Sequence, residues 1–186
     1  MAMVSYNHYD HHAKRIWRGR HLVIIGLHAF TVMHVALSLV GIGSGCVIVF
    51  GLLTGKRVDQ WTALFLASTA ATSATGFGFP FDHLLPSHVV GVISLLVLAV
   101  AVAARYAFRL ARAWRRVYVI AAMTALYLNV FVLVVQLFRK VPALTALAPT
   151  QSEPPFAVVQ LLLLVLFVTL TAVAAIRFRS EPGGMA

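Results

Sequence analysis

Five largely apolar stretches joined by short polar segments make up most of this chain, covering approximately residues 23–53, 61–80, 87–108, 117–138 and 155–176. A helix crossing a hydrocarbon core of about 30 Å needs roughly 20 residues, and each stretch is about that long or longer. The pattern predicts an all-α fold, an integral membrane bundle of five transmembrane helices. Residues 1–22 form a polar, basic, histidine-containing tail, 23–178 a single transmembrane helical domain, and 179–186 a short C-terminal tail.

The stretches are unequal. The first is uncharged from residue 21 to 55, longer than one crossing, so it tilts or lays its first part in the interface. A signal peptide has an apolar core of roughly 7–15 residues and a small-residue cleavage site, so this run reads as a retained helix. Trp17 with Lys14, Arg15, Arg18 and Arg20 suits a headgroup anchor. The second stretch carries Thr62, Ser68, Thr69, Thr72, Ser73 and Thr75 among alanines and glycines, which suits the bundle interior. Pro80 and Pro86 bracket the turn that follows it.

The third stretch continues through Arg105, Arg109, Arg112 and Arg116, which recur at helical spacing beside Tyr106, Phe108, Trp114 and Tyr118. This reads as a lipid-facing basic stripe and topology anchor. Asn129 and Gln136 in the fourth stretch and Gln160 in the fifth are polar intramembrane groups expected to face other helices. Between these two stretches, 141–148 is apolar enough to lie flat on the membrane surface. Thr150 followed by Glu153 has the spacing of a capping box.

Composition excludes an ordinary soluble domain, since 61% of the residues are hydrophobic and only 11% charged. A formal net charge of +10 in a soluble protein would suggest nucleic acid. Here the Lys and Arg lie between or beside the spans, so anionic headgroups of the bilayer are the expected partner, and nucleic acid is not. The single cysteine, Cys46, excludes an intramolecular disulfide.

Five spans place the termini on opposite sides. One side then carries six basic residues, Lys14, Arg15, Arg18, Arg20, Arg139 and Lys140. The other carries nine: Lys56, Arg57, Arg105, Arg109, Arg112, Arg115, Arg116, Arg177 and Arg179. The positive-inside rule favours a cytoplasmic C-terminus. A start at Met33 would make the first span 33–53, a natural single crossing, and sharpen this imbalance.

Candidate chemistry is sparse. A single b-type haem could be held between His34 and His88, projecting from two helices. The last two spans contain no histidine, so a two-haem arrangement is excluded. Asp82, His83 and His88 could bind a divalent metal, although their spacing is not that of a recognised zinc site. His8, His11 and His12 form a looser cluster. Ser87, His88 and Asp82 are crowded into one turn, which disfavours triad geometry. Nucleotide-binding loops, the GxSxG and HExxH motifs are absent, and no Asp, Glu, Lys or Arg lies deep within a span, which leaves only histidine and counts against an ion-coupled carrier.

The segments 59–66, 77–88 and 148–156, reading DQWTALFL, FGFPFDHLLPSH and APTQSEPPF, resemble small polytopic bacterial inner-membrane proteins to which no activity is assigned. The resemblance covers most of 33–176 and implies a bacterial inner (cytoplasmic) membrane location, without transferring a site. The expected function is a non-catalytic subunit or assembly partner, with another membrane protein or a second copy as partner and no cofactor. The alternatives are the single-haem electron carrier and an oligomeric small transporter or channel built around the second span.

Overall fold

The computed structural model describes the backbone of residues 4–79 and 86–178, and the side chains of 25–79 and 88–178. These residues form α1 (Val4–Thr54), α2 (Asp59–Gly76), α3 (Pro86–Val102), a π-helical turn (Ala103–Ala107), α4 (Trp114–Lys140), α5 (Pro142–Leu147) and α6 (Pro154–Arg177), with no strand among them. Among the described residues four segments are long and apolar enough to cross a membrane: Ile25–Thr54, His88–Ala107, Trp114–Lys140 and Pro154–Arg177. The second stretch does not reach that apolarity, because α2 opens on Asp59 and Gln60 and then carries six hydroxyl side chains. It also stops at Gly76, short of the expected residue 80.

No proline interrupts 4–54, so nothing forces a break between tail and first span. Residues 4–22, expected as a tail, begin α1. Packing divides the chain into two compact units, 1–36 and 37–186. In the first, the Thr31 hydroxyl donates to the Leu27 carbonyl at 2.8 Å, while Ile25, Val32 and Val35 are exposed.

In the second unit α4 is central, packing against α2, α3, α5 and α6. Tyr118, Val119 and Met123 of α4 share the core with Phe65 of α2, Leu98 of α3 and Leu52 of α1. The helices of this unit alternate in direction. At one end, a Cβ on Gly55 would stand 3.6 Å from the Arg177 carbonyl, Asp59 meets Arg105, and the Tyr118 ring lies 6.5 Å from Phe178. At the other end, Phe77 packs on His88 with ring centroids 5.7 Å apart, and Phe138 meets Phe156 edge-on at 5.3 Å.

Gly55 ends α1 in a Schellman motif. Its φ of 72° suits glycine, the Lys56 amide reaches back to the Gly51 carbonyl at 2.8 Å, and the Gly55 amide donates to Leu52.

Arg105, Arg109, Arg112 and Arg116 do not share a helical face. After the π turn the backbone enters the left-handed region at Arg109 (φ 48°), Leu110 (φ 58°) and Arg112 (φ 48°), a conformation that costs a non-glycine residue about 1–2 kcal/mol. A continuing helix would carry Leu110 and Trp114 away from the bundle. The reversal instead buries Leu110 in the core and stacks Phe108 flat on Trp114, with centroids 3.7 Å apart. The amides of Phe108 and Leu110 donate to the carbonyls of Ala103 (2.9 Å) and Ala104 (3.0 Å), closing the turn.

The apolar 141–148 segment forms α5, tied to α4 by the Thr145 hydroxyl donating to the Phe138 carbonyl at 2.8 Å. Only half of the expected capping box forms. Glu153 accepts from the Thr150 amide at 3.1 Å, but the Thr150 hydroxyl also donates to Glu153, at 2.9 Å, instead of receiving a helix amide. The reason is register: Pro154 and Pro155 start α6 with Glu153 as its N-cap, leaving Thr150 outside the first turn.

Candidate functional site

Six hydroxyls line α2, and four are spent on their own helix. Thr62, Ser68, Thr72 and Thr75 donate to the carbonyls of Val58 (3.0 Å), Leu64 (2.7 Å), Ser68 (2.9 Å) and Ala71 (2.8 Å). This back-bonding satisfies a hydroxyl in a dry interior without an outside partner. Ser73 instead donates across to Ser94 of α3 at 3.0 Å. The sixth, Thr69, is 1% exposed, and its hydroxyl has no hydrogen-bond partner.

Thr69 borders a polar centre where three helices meet. Ser38 of α1 donates to Oδ1 of Asn129 of α4 at 3.0 Å, while the Asn129 Nδ2 group is buried without a partner. Gly41 of α1 permits the approach: a Cβ there would stand 2.9 Å from Thr69 Oγ1, 3.0 Å from Asn129 Nδ2 and 3.4 Å from Ser68 Oγ. One turn on, a Cβ on Gly45 would run into the Leu126 side chain. Gly41 and Gly45 thus form a GxxxG contact through which α1 lies against α2 and α4. The centre offers hydroxyl and amide groups and no side chain that titrates near neutrality, so its chemistry is that of hydrogen-bonded packing.

A second cluster closes the end where α1 finishes and α2 starts. Arg105, its side chain 9% exposed, pairs with Asp59, whose side chain is 71% exposed. The guanidinium carbon lies 5.4 Å from the Tyr118 ring centroid and 5.8 Å from that of Tyr106, within cation–π range. The Tyr118 hydroxyl points to Thr62 Oγ1, a long contact of 3.4 Å. Asp59 also stands in the first turn of α2, where a carboxylate complements the helix dipole.

Of the residues expected to carry chemistry, His88 is buried at the start of α3 against Phe77. A Cβ on Gly91 would stand 3.1 Å from the same Phe77 ring. His34 is half-buried on α1 and belongs to the first unit, His88 to the second. Asp82, His83 and the Ser87 side chain lie outside the described residues, as do the side chains of His8, His11, His12 and Trp17. Among the described residues no group of three His, Cys, Asp or Glu could hold a metal ion.

Asn129 faces neighbouring helices as expected. Gln160 also turns inward, its Nε2 donating to the Phe131 carbonyl at 3.4 Å, with Oε1 buried and without a partner. Gln136 does not: it is exposed one turn before the end of α4, where solvent or headgroups reach it. Sequence reasoning missed Ser38 and Gly41; the glycine spacing from 41 to 45 was the available signal. It also missed the pairing of Arg105 with Asp59, which no local pattern encodes. No family model matches this chain, and neither a curated protein nor a solved structure matches it.

Proposed function

We propose that this chain is a multi-pass protein of the bacterial inner membrane, crossing it five times through α1, α2, α3, α4 and α6, and that it serves as a non-catalytic subunit or assembly partner. The direction of α2 supports the fifth crossing. α1 ends at the end of the second unit where Arg105 meets Asp59, whereas α3 begins at the opposite end, where His88 packs on Phe77. If α1 and α3 cross, the chain between them has to return across the bilayer, and α2 makes that return. At about 1.5 Å per residue its 18 residues rise about 27 Å. Its polarity is tolerable in lipid because five of its six hydroxyls are turned onto its own carbonyls or onto Ser94 of α3.

The observation carrying the non-catalytic reading is the spending of these hydroxyls. Four of the six on α2 are bonded back within the helix, which suits a packing helix better than a ligand-lined path. The outward apolar surface of α3 and α6, including Leu96, Leu161, Leu162 and Val165, suits contact with lipid or with another membrane helix. The excess of Lys and Arg at the Arg105 end favours a cytoplasmic C-terminus.

Two measurements test this reading. Single cysteines placed in 55–58 and in 148–152 of a Cys46→Ser background should be labelled from opposite sides of sealed vesicles; labelling from one side removes the five-span topology. Purification in gentle detergent should yield a complex heavier than one chain plus its detergent. A lone monomer with full membrane stability would remove the subunit reading.

A further inference from the structure

We infer that the reversal between α3 and α4 is a binding site for the phosphate of an anionic phospholipid, with Arg109, Arg112 and Arg116 as its ligands; this rests on the membrane reading above. The three arginines are exposed, and their guanidiniums have no hydrogen-bond or ion-pair partner among the described residues. The chain holds five Asp and Glu against fifteen Lys and Arg. The one described carboxylate at this end, Asp59, is engaged by Arg105. Among the described residues these arginines therefore have no internal counter-charge, and an external anion is the complement.

The turn is also built to hold the backbone that carries these arginines in place. Leu110, between two of them, is plugged into the core. The Phe108–Trp114 stack pins the two sides of the loop together, and the amides of Phe108 and Leu110 are tied to Ala103 and Ala104. A guanidinium presents paired N–H donors that match phosphate oxygens, and a turn whose backbone is already fixed has less freedom to lose on binding.

Depth selects lipid over a soluble phosphate. Tyr106 and Phe108 are exposed beside the arginines and Trp114 is partly so. Tyrosine and tryptophan settle at headgroup level. The turn follows directly on the span His88–Ala107 and precedes Trp114–Lys140, so the arginines stand where headgroup phosphates lie.

The test compares two variants of equal charge. Wild type, the triple variant Arg109→Gln/Arg112→Gln/Arg116→Gln and the matched triple Lys56→Gln/Arg57→Gln/Arg177→Gln are reconstituted in phosphatidylcholine bilayers. The association of spin-labelled phosphatidylglycerol is then measured relative to spin-labelled phosphatidylcholine. Wild type should prefer phosphatidylglycerol, and the arginine triple should lose that preference, falling to the phosphatidylcholine level. The matched triple should keep most of the preference.

Equal losses in the two triples would reduce the effect to diffuse charge and overturn the site. Absence of a preference in wild type would overturn it too, including the case where the protein retains RNA or an acidic polypeptide instead. Where the glutamine triple fails to insert, the Arg→Lys triple keeps the charge without the paired donors; it should fall between wild type and the glutamine expectation, and a wild-type preference in it would overturn the guanidinium assignment. Carbonate extraction separates the two levels. Release of wild type from membranes defeats the membrane reading, whereas retention without lipid preference defeats this inference alone.

Discussion

Ser38 and Asn129 stand 91 residues apart in sequence and meet through one hydrogen bond of 3.0 Å, the serine hydroxyl donating to the amide oxygen. The bond ties α1 to α4 at the point where Gly41 lets α2 close in. Ser38→Ala should therefore destabilise the protein by about 1 kcal/mol, since Asn129 would lose its oxygen partner while Nδ2 remains unsatisfied. The double variant Ser38→Ala/Asn129→Leu should recover part of that loss. Unfolding in mixed micelles measures both, and a double variant worse than the sum of the singles would contradict the account.

Gly41→Ala should cost roughly 1–3 kcal/mol, because the added methyl would meet Thr69, Asn129 and Ser68 at once. Gly43→Ala is the internal control. A Cβ there has nothing within 4 Å, so the change should be neutral or stabilise by up to about 1 kcal/mol through helix propensity. The order of the two midpoints in thermal unfolding decides; equal effects would remove the close-approach role of Gly41.

Removing Arg105 should cost more than removing its partner. Asp59→Asn loses an ion pair with one largely exposed member, an effect of about 1 kcal/mol or less after solvent screening. Arg105→Ala also removes the guanidinium packed over Tyr118 and Tyr106 and the aliphatic stem beneath it. Comparing their unfolding midpoints at low and high salt checks the ranking: the Asp59→Asn difference should shrink towards zero with salt, whereas Arg105→Ala should keep the part that comes from packing.

Glu153 gives a pH dependence of known sign. Desolvation is the largest single influence and acts to raise its pKa, but hydrogen bonds from the Thr150 amide and hydroxyl and from the amides of Glu153 and Ser152 together outweigh it and hold the carboxyl below its usual range. A carboxylate with a lowered folded pKa contributes stability above its unfolded pKa, and that contribution is lost as pH falls through the folded value. Wild type should thus lose stability relative to Glu153→Gln on acidification through the carboxylate range, with no difference in trend near neutrality. Carboxyl chemical shifts followed with pH locate the transition; a Glu153 titrating above a free glutamate would reverse the prediction.

Much of the fold is legible in the sequence because hydrophobic length is a local, additive property. The expected helices 117–138 and 155–176 fall within α4 and α6, and 87–108 is helical as far as residue 107. The same local reasoning failed where the chain turns. Arginine spacing from 105 to 116 fits a helix, but burying Leu110 and stacking Phe108 on Trp114 favour the reversal. The Thr150–Glu153 pair has the spacing of a cap, but two prolines set the helix start beyond it.

By itself, the sequence determined that the chain is helical, that it carries apolar segments long enough to cross a membrane, expected as five where four of the described helices are long and apolar enough, and that its cations gather between these segments or at their ends. Tertiary structure decided what the polar residues do. It turned α2 inward, drew Gly41, Thr69 and Asn129 to one point, and set Arg105 on Asp59 while leaving Arg109, Arg112 and Arg116 exposed. The physical reason is range. Hydropathy and length act within one segment, whereas a buried hydroxyl or guanidinium takes its role from partners that only the packed helices bring within a few ångströms.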